Sequence, residues 1–437
     1  MAFATVFDEY AATNERLARG ERLFFSGRGN QWHISDREIS TSRRLRYPKI
    51  GLYTGDGTSH SWLWFVDLFE RMGFHNLTFL NEKTLQEGGL GGLDVLAISG
   101  GDTFTIASAL GNVGAREIKQ FIENGGLYIG SCAGAYLPMN SSKSPLNLFN
   151  FAAVKISNLS KYLPDCRQMR YKFSTAYGCR FIFHPVREAV GLRVNGTVPF
   201  FGAGELIAPL YGGPGMIASG ATQILAHYEK FTKNTVFLVD EALAHETLIG
   251  KAAAVRAKLG GGSLYLFGPH LEHPRYPKAN KLIADAIFWD AGRSSNDDAV
   301  NRIKSENLSE SDSRNLIGDL KRELSNSRIV AASLEMLPIR WLIGAKYYEP
   351  EKLRVFLESM WRRLLIMEKH GRLCLCPSST TNLVEWATEI THLLRLMKNE
   401  LDRDRDTVAI AGRVFTLIQK FTATFLQMYF LTVSEPI

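Results

Sequence analysis

The sequence predicts an α/β fold, a doubly wound and mostly parallel sheet, followed by an all-α helical domain. From Pro48 onward, short apolar runs alternate with segments of helical periodicity, the pattern of right-handed strand-helix-strand crossovers. Two apolar runs end in turns that carry chemistry, Gly130-Ser131-Cys132-Ala133-Gly134 and Gly268-Pro269-His270-Leu271-Glu272. After about residue 295 glycine becomes rare and helical periodicity takes over. The expected organisation is an N-terminal extension over 1–47, an α/β domain over 48–294 and a helical bundle over 295–437.

Taken in order, the extension is locally basic, with Arg37, Arg43, Arg44, Arg46 and Lys49. It reads as a solvated charged segment rather than a nucleic-acid arm. Residues 50–53 form the first strand, and 62–72 carry apolar residues at helical spacing up to Gly73. Residues 77–80 and 95–98 are the next strands. Ala115, Ile118, Phe121 and Ile122 mark one face of a helix that Gly125 stops. Residues 127–129 then lead into the cysteine turn.

Gly-x-Cys-x-Gly is the cysteine form of the nucleophile elbow. A nucleophile on a sharp strand-to-helix turn has a strained backbone, and side chains two residues away on either side would collide. Gly130 and Gly134 remove them. Cys132 would project from a strand's carboxyl end toward a helix start, where the helix dipole and free amides favour a thiolate. The bland alternative is a buried cysteine in a turn of small residues.

Residues 140–235 are rich in Gly, Pro and aromatic residues and read as loops and short strands capping the site. Arg170, Tyr171, Tyr177, His184, Glu188 and Glu205 are its candidate substrate contacts. Residues 252–259 and 263–267, around Gly260-Gly261-Gly262, read as a hairpin that delivers His270 and Glu272. A cysteine nucleophile needs a base, and the base needs a group that fixes its tautomer. His270 and Glu272 can be that pair, with His273 as the fallback base. Alone, a His near a Glu is an ordinary polar pair; two strand-end motifs together say more.

At this point the chain resembles the class I glutamine amidotransferase-like superfamily. It is most similar to the amidotransferase-like domain at the N-terminus of eukaryotic biotin-protein ligases, which also occurs in stand-alone proteins. Besides Gly130-Ser131-Cys132-Ala133-Gly134 and His270-Leu271-Glu272, further stretches fit in order. Residues 53–59 (Tyr-Thr-Gly-Asp-Gly-Thr-Ser) resemble its first strand-loop, and Ser99-Gly100-Gly101-Asp102 resembles its Pro-Gly-Gly loop with Ser99 in place of the proline. Residues 210–215 (Leu-Tyr-Gly-Gly-Pro-Gly) resemble its Gly-rich segment. The resemblance covers roughly residues 48–294. It implies Cys132 as nucleophile, His270 as proton carrier and Glu272 as its orienting acid. An oxyanion would be held by backbone amides of Ala133 and of Gly101 or Asp102, with Gly100 shaping the same loop. Gly27-Arg28-Gly29-Asn30-Gln31-Trp32 faintly resembles the biotinyl-adenylate loop of biotin ligases. It stands outside the matching domain, with no ligase catalytic domain around it.

In the last third, residues 314–325, 329–345, 352–369, 383–401 and 407–431 carry helical periodicity and suggest an antiparallel bundle. Trp341, Trp361, Met367, Leu393, Leu394 and Phe425 are its expected core.

Composition bounds the rest. Of 437 residues, 45% are hydrophobic and 22% charged, values of an ordinary globular chain. The net charge of +7 is a mild bias that does not point to nucleic acid. Five cysteines (Cys132, Cys166, Cys179, Cys374 and Cys376) are sparse and lack zinc-type pairing. They suggest a reducing cytosol rather than a disulfide framework. The first 20 residues have no apolar h-region, and 408–433 are interrupted by Arg413 and Lys420. The expectation is a cytoplasmic protein with no signal peptide and no membrane span. No phosphate loop or metal motif stands out, so no cofactor and no metal are expected.

The functional expectation is a cysteine-dependent hydrolase or amidotransferase-like protein acting on a carboxamide or related acyl substrate. The alternative is a non-catalytic ligand-binding or regulatory module that recruits a protein partner, or a second copy, through its helical domain. Biotin ligation would need a further domain that the sequence does not contain.

Overall fold

The strands that position the site are buried on both faces. The computed structural model describes residues 6–28, 31–39, 42–162, 181–196, 202–291, 306–344, 346–375 and 382–434. These fall into two compact units, one formed by 1–74 with 80–296 and the other by 75–79 with 297–437.

In the first unit, helix α1 (Val6–Ala18) is followed by a small antiparallel sheet of β1 (Phe24–Arg28), β2 (Gln31–Ser35) and β3 (Arg43–Arg44). Strands β4 (Ile50–Tyr53), β5 (Leu77–Leu80, of which Leu80 belongs to this unit), β6 (Val95–Ile98) and β7 (Leu127–Ser131) alternate with helices. These are α2 (Trp62–Arg71), α3 (Glu82–Gln86) and α4 (Thr103–Glu123). Every residue of β4, β6 and β7 is buried, the signature of strands covered on both sides. After the single-turn helix α5 (Ala133–Tyr136) come β8 (Val154–Ile156), β9 (Val186–Val194), β10 (Gly204–Leu210), β11 (Met216–Ala218) and β12 (Gln223–Phe237). Helix α6 (Glu241–Leu248), β13 (Ala252–Leu259), β14 (Gly262–Phe267) and α7 (Pro277–Asp290) complete the unit.

The strand order is β10-β9-β12-β13-β14-β7-β6-β4-β5. Pairings β14–β7, β7–β6 and β6–β4 are parallel. Pairings β14–β13, β13–β12, β12–β9 and β9–β10 are antiparallel. The sheet is therefore mixed, and its antiparallel half is larger than the sequence pattern implied. The residues expected to be loops and short strands over 140–235 supply most of that half. On one face, Leu96, Ile98, Tyr128, Leu264 and Leu266 pack with Ile106, Leu110, Ile118 and Ile122 of α4. The alternating residues of the same strands point to the opposite face. The carboxyl ends of β4, β6, β7 and β14 share one edge, the usual site edge of an open α/β sheet.

The N-terminal extension is built into this unit. Tyr10 donates to Asp285, the Asn14 side-chain amide donates to the Met72 carbonyl at 2.8 Å, and Phe25 packs edge-on against Trp289.

In the second unit, α8 (Glu310–Glu335), α9 (Pro350–His370), α10 (Leu383–Leu401) and α11 (Val408–Ser434) pack as a ring, each helix against two neighbours. Residues 314–325 and 329–335 form one helix, not two, because Ser327 is buried and hydrogen-bonded to Thr391 at 2.9 Å. The helix expected to run to 345 ends at Glu335, and a hairpin of β16 (Trp341–Ile343) and β17 (Lys346–Tyr348) follows. Trp341, Met367, Leu393, Leu394 and Phe425 are buried, while Trp361 is half-buried with Arg328 over its ring. Short strands β15 (Glu306–Asn307) and β18 (Cys374–Leu375) pair antiparallel. No described helix is long and apolar enough to cross a membrane.

Candidate active site

The elbow is strained where its chemistry sits. Cys132 has φ 52° and ψ −107°, a region that L-residues rarely occupy. Its neighbours leave no room for relaxation. A Cβ on Gly130 would lie 2.3 Å from the Gly134 carbonyl oxygen, and one on Gly134 would lie 2.0 Å from the Ile98 carbonyl oxygen. The Tyr128 hydroxyl donates to that Gly134 carbonyl at 2.7 Å and closes the turn from beneath. Helix α5 is only four residues long. Its dipole is that of a single turn.

His270 and Glu272 follow β14, whose Phe267 pairs with Ser131 of β7. The Cys132 N–H donates to the Phe267 carbonyl at 2.9 Å. His270 Nδ1 lies 2.6 Å from Glu272 Oε1, and both residues are buried. With Nδ1 engaged by Glu272, Nε2 is the ring nitrogen left to face Cys132, whose charge acts on His270. Burial alone would push the His270 pKa down. The Glu272 carboxylate and the Cys132 thiolate outweigh it and raise it to about 10. The Cys132 sulfur also lies 3.7 Å from the Tyr211 carbonyl oxygen.

The Gly-Gly loop backs onto the imidazole. A Cβ on Gly100 would lie 2.7 Å from His270 Cε1 and 2.8 Å from Ser61 Oγ. Hydroxyls of Ser59, Ser61 and Ser99 form a chain with spacings of 2.8 and 3.1 Å beside the Gly100 carbonyl. Of the two loop amides considered for an oxyanion, Asp102 N–H is engaged by the Gly57 carbonyl at 2.7 Å. Its carboxylate caps α4 through Phe104 and Thr105. Among the described residues, Gly101 N–H and Ala133 N–H have no hydrogen-bond partner.

An aromatic group closes the other side. Trp64 stands edge-on to His270 at 5.0 Å and lies 4.4 Å from His273, and Tyr211 lies 5.7 Å from His270. Tyr211 donates to Glu188 at 2.8 Å, and Glu188 holds φ 66°. The Gly-rich segment packs directly on the histidine turn, since a Cβ on Gly213 would lie 1.7 Å from the Gly268 carbonyl oxygen. His273 is lowered to about 4 by burial and by its neighbours His270 and Arg275. His184 is buried beside Gly212 and lowered to about 3 by burial and Arg187. Glu205 is exposed and paired with Lys230. Arg170, Tyr171 and Tyr177 lie outside the described residues.

Sequence reasoning missed Ser131, Trp64 and Tyr228. Tyr228 is held high by burial and by the charge of Cys132. Its signal was only a tyrosine in a strand whose apolar alternation is broken by bulges. Among the described residues, no group of three or more His, Cys, Asp or Glu side chains is placed to hold a metal ion.

Residues 50–172 match the family described as biotin-protein ligase, N terminal. Among solved structures, a glutamine amidotransferase is 17% identical, covering 55% of this chain and 98% of that one, with a TM-score of 0.33. A candidate GMP synthase component from Thermoplasma acidophilum is 13% identical, over 55% of this chain and 92% of that one, with a TM-score of 0.34. A candidate ThuA-like protein from Bacteroides uniformis is 12% identical, over 59% and 96%, with a TM-score of 0.36. No curated protein sequence matches the chain. Segment 50–172 is thus similar to the biotin-protein ligase N-terminal family.

Proposed function

We propose that this chain is a cysteine-dependent hydrolase of the amidotransferase-like kind, acting on a carboxamide or related acyl group. The observation that carries the reading is the Glu272-held His270 beside a cysteine at a strained elbow. In this reading the Cys132 thiolate attacks the acyl carbon, and the oxyanion that forms is received by the free amides of Ala133 and Gly101. His270 gives its Nε2 proton to the leaving amine as the carbon–nitrogen bond breaks. A water then attacks the thioester while His270 takes its proton, releasing the acid and restoring the thiolate. Glu272 keeps Nδ1 protonated throughout. A reduced thiol suits the cytosol, where we expect the protein to work. The test is a screen of carboxamides, esters and small peptides with intact-mass detection of Cys132 adducts. Turnover by the wild type that Cys132→Ser abolishes supports the reading, and turnover that survives Cys132→Ser sinks it.

A second reading is favoured by the helical unit, in which Ile329, Met336 and Leu342 are 69%, 84% and 47% exposed. Large apolar side chains left in water suit an association surface. Here the pocket holds a ligand without turning it over, and the helices recruit a protein partner or a second copy. Sedimentation of wild type against Met336→Glu reads self-association, and a concentration-independent monomer in both removes the second-copy form.

A further inference from the structure

We infer that Ser131 is a positioning residue of the site, fixing the Glu272 carboxylate and, through it, the charge state of His270 and Cys132. This deepens the reading above and rests on it. Ser131 Oγ donates to Glu272 Oε2 at 2.8 Å. The same hydroxyl lies 3.4 Å from the Pro269 carbonyl. One hydroxyl hydrogen cannot serve both acceptors, and the shorter bond to an anion takes it. Both side chains are fully buried, at 0% exposure, so no water is available to replace the bond. Among the described residues, each Glu272 oxygen then has one partner, Oε1 on His270 Nδ1 and Oε2 on Ser131.

The placement follows from the sheet. Ser131 is the last residue of β7 and pairs with Phe267 at the end of β14. Successive strand residues point to opposite faces, so the residue before the nucleophile reaches the acid while Cys132 meets the imidazole. Losing the hydroxyl leaves Oε2 buried without a donor, which favours the protonated or rotated carboxyl. His270 then loses part of the negative charge that keeps it protonated, and Cys132 loses its counter-ion at neutral pH. The other titratable and charged groups facing His270 and Cys132 are His273, Tyr211, Tyr228 and, beyond His273, Arg275. None of them touches the Ser131 hydroxyl through a described hydrogen bond.

The experiment is the rate of Cys132 alkylation by iodoacetamide against pH in the full chain, site-resolved by peptide mapping. The variants are Ser131→Ala and Ser131→Thr. The expected result is an upward shift of the acid limb by about one pH unit in Ser131→Ala. Ser131→Thr, which keeps a hydroxyl, should recover most of the wild-type profile. Adding Glu272→Gln to Ser131→Ala should give no shift beyond that of Glu272→Gln alone. An unchanged profile in Ser131→Ala, equal shifts in both serine variants, or full additivity with Glu272→Gln overturns the inference. Ser131→Cys, near-isosteric and a weak donor, carries the same expectation should the alanine variant not fold. Failure of the parent reading looks different: wild-type Cys132 would then react no faster than Cys374 at any pH.

Discussion

The backbone N–H of Cys132 donates to the carbonyl of Phe267 at 2.9 Å, tying the elbow to the strand that carries His270. The two halves of the site are thus fixed by the parallel pairing of β7 and β14 and not by their loops. Geometry set by sheet hydrogen bonds tolerates loop variation, and the following expectations rest on that arrangement.

The elbow glycines should be intolerant of any side chain. A Cβ at Gly134 meets the Ile98 backbone oxygen at 2.0 Å, and that strand atom cannot give way. Gly134→Ala should cost about 3 kcal/mol in denaturant unfolding. A variant as stable as wild type would contradict the turn described here.

Gly100→Ala should separate stability from reactivity. Its Cβ would press on His270 Cε1 and Ser61 Oγ, both side-chain atoms. Those can move, so the unfolding midpoint should shift little while Cys132 alkylation slows about tenfold or more. Unchanged alkylation would mean that the imidazole does not rest against this loop.

His270 predicts a sign for the pH dependence of stability. Its proton is held to about 10 in the folded chain against an ordinary value of 6.5. A base whose folded pKa is raised stabilises fully below the unfolded pKa and loses that stabilisation as pH rises to the folded one. Urea stability of the full chain should fall as pH rises from 6.5 toward 10, and His270→Gln should flatten the fall. Parallel slopes would contradict the Glu272 contact.

His184 has the opposite sign. It is buried and lowered to about 3, so the unfolded chain takes up the proton first as pH drops below 6.5. Its contribution is present above 6.5 and is lost on acidification toward 3. His184→Asn should have a shallower acid limb than wild type between pH 6.5 and 4.5, measured by urea unfolding.

Deleting residues 1–47 should destabilise the α/β unit. Tyr10 and Phe25 are 1% and 4% exposed against α7, and the Asn14 amide satisfies the Met72 carbonyl. The melting temperature should fall by more than about 5 °C. No change would mean that the extension is dispensable.

How much of this was legible in the sequence depends on how local the signal is. The elbow and the hairpin into His270 were readable because glycine spacing and apolar runs are short-range patterns. The α/β class followed from strand-helix alternation. The antiparallel half was not readable. Strand β12 carries register shifts near Ala226 and between Phe231 and Thr235, so its alternation breaks wherever a bulge inserts. Ser131 was invisible for a different reason. A serine before a cysteine says nothing until the register of β7 and β14 sets it beside Glu272. In the helical unit, the sequence pattern separates 314–325 from 329–345, whereas Ser327 between them is buried mid-helix on a bond to Thr391.

The most direct measurement of the central claim is the pseudo-first-order alkylation rate of Cys132 relative to Cys374 at pH 7, in wild type and in His270→Ala. Both cysteines are buried, at 6% and 3% exposure, so burial alone does not separate them. The account predicts Cys132 faster by at least about tenfold, with the advantage lost in His270→Ala. Equal rates in the wild type, or an advantage that survives His270→Ala, would contradict it.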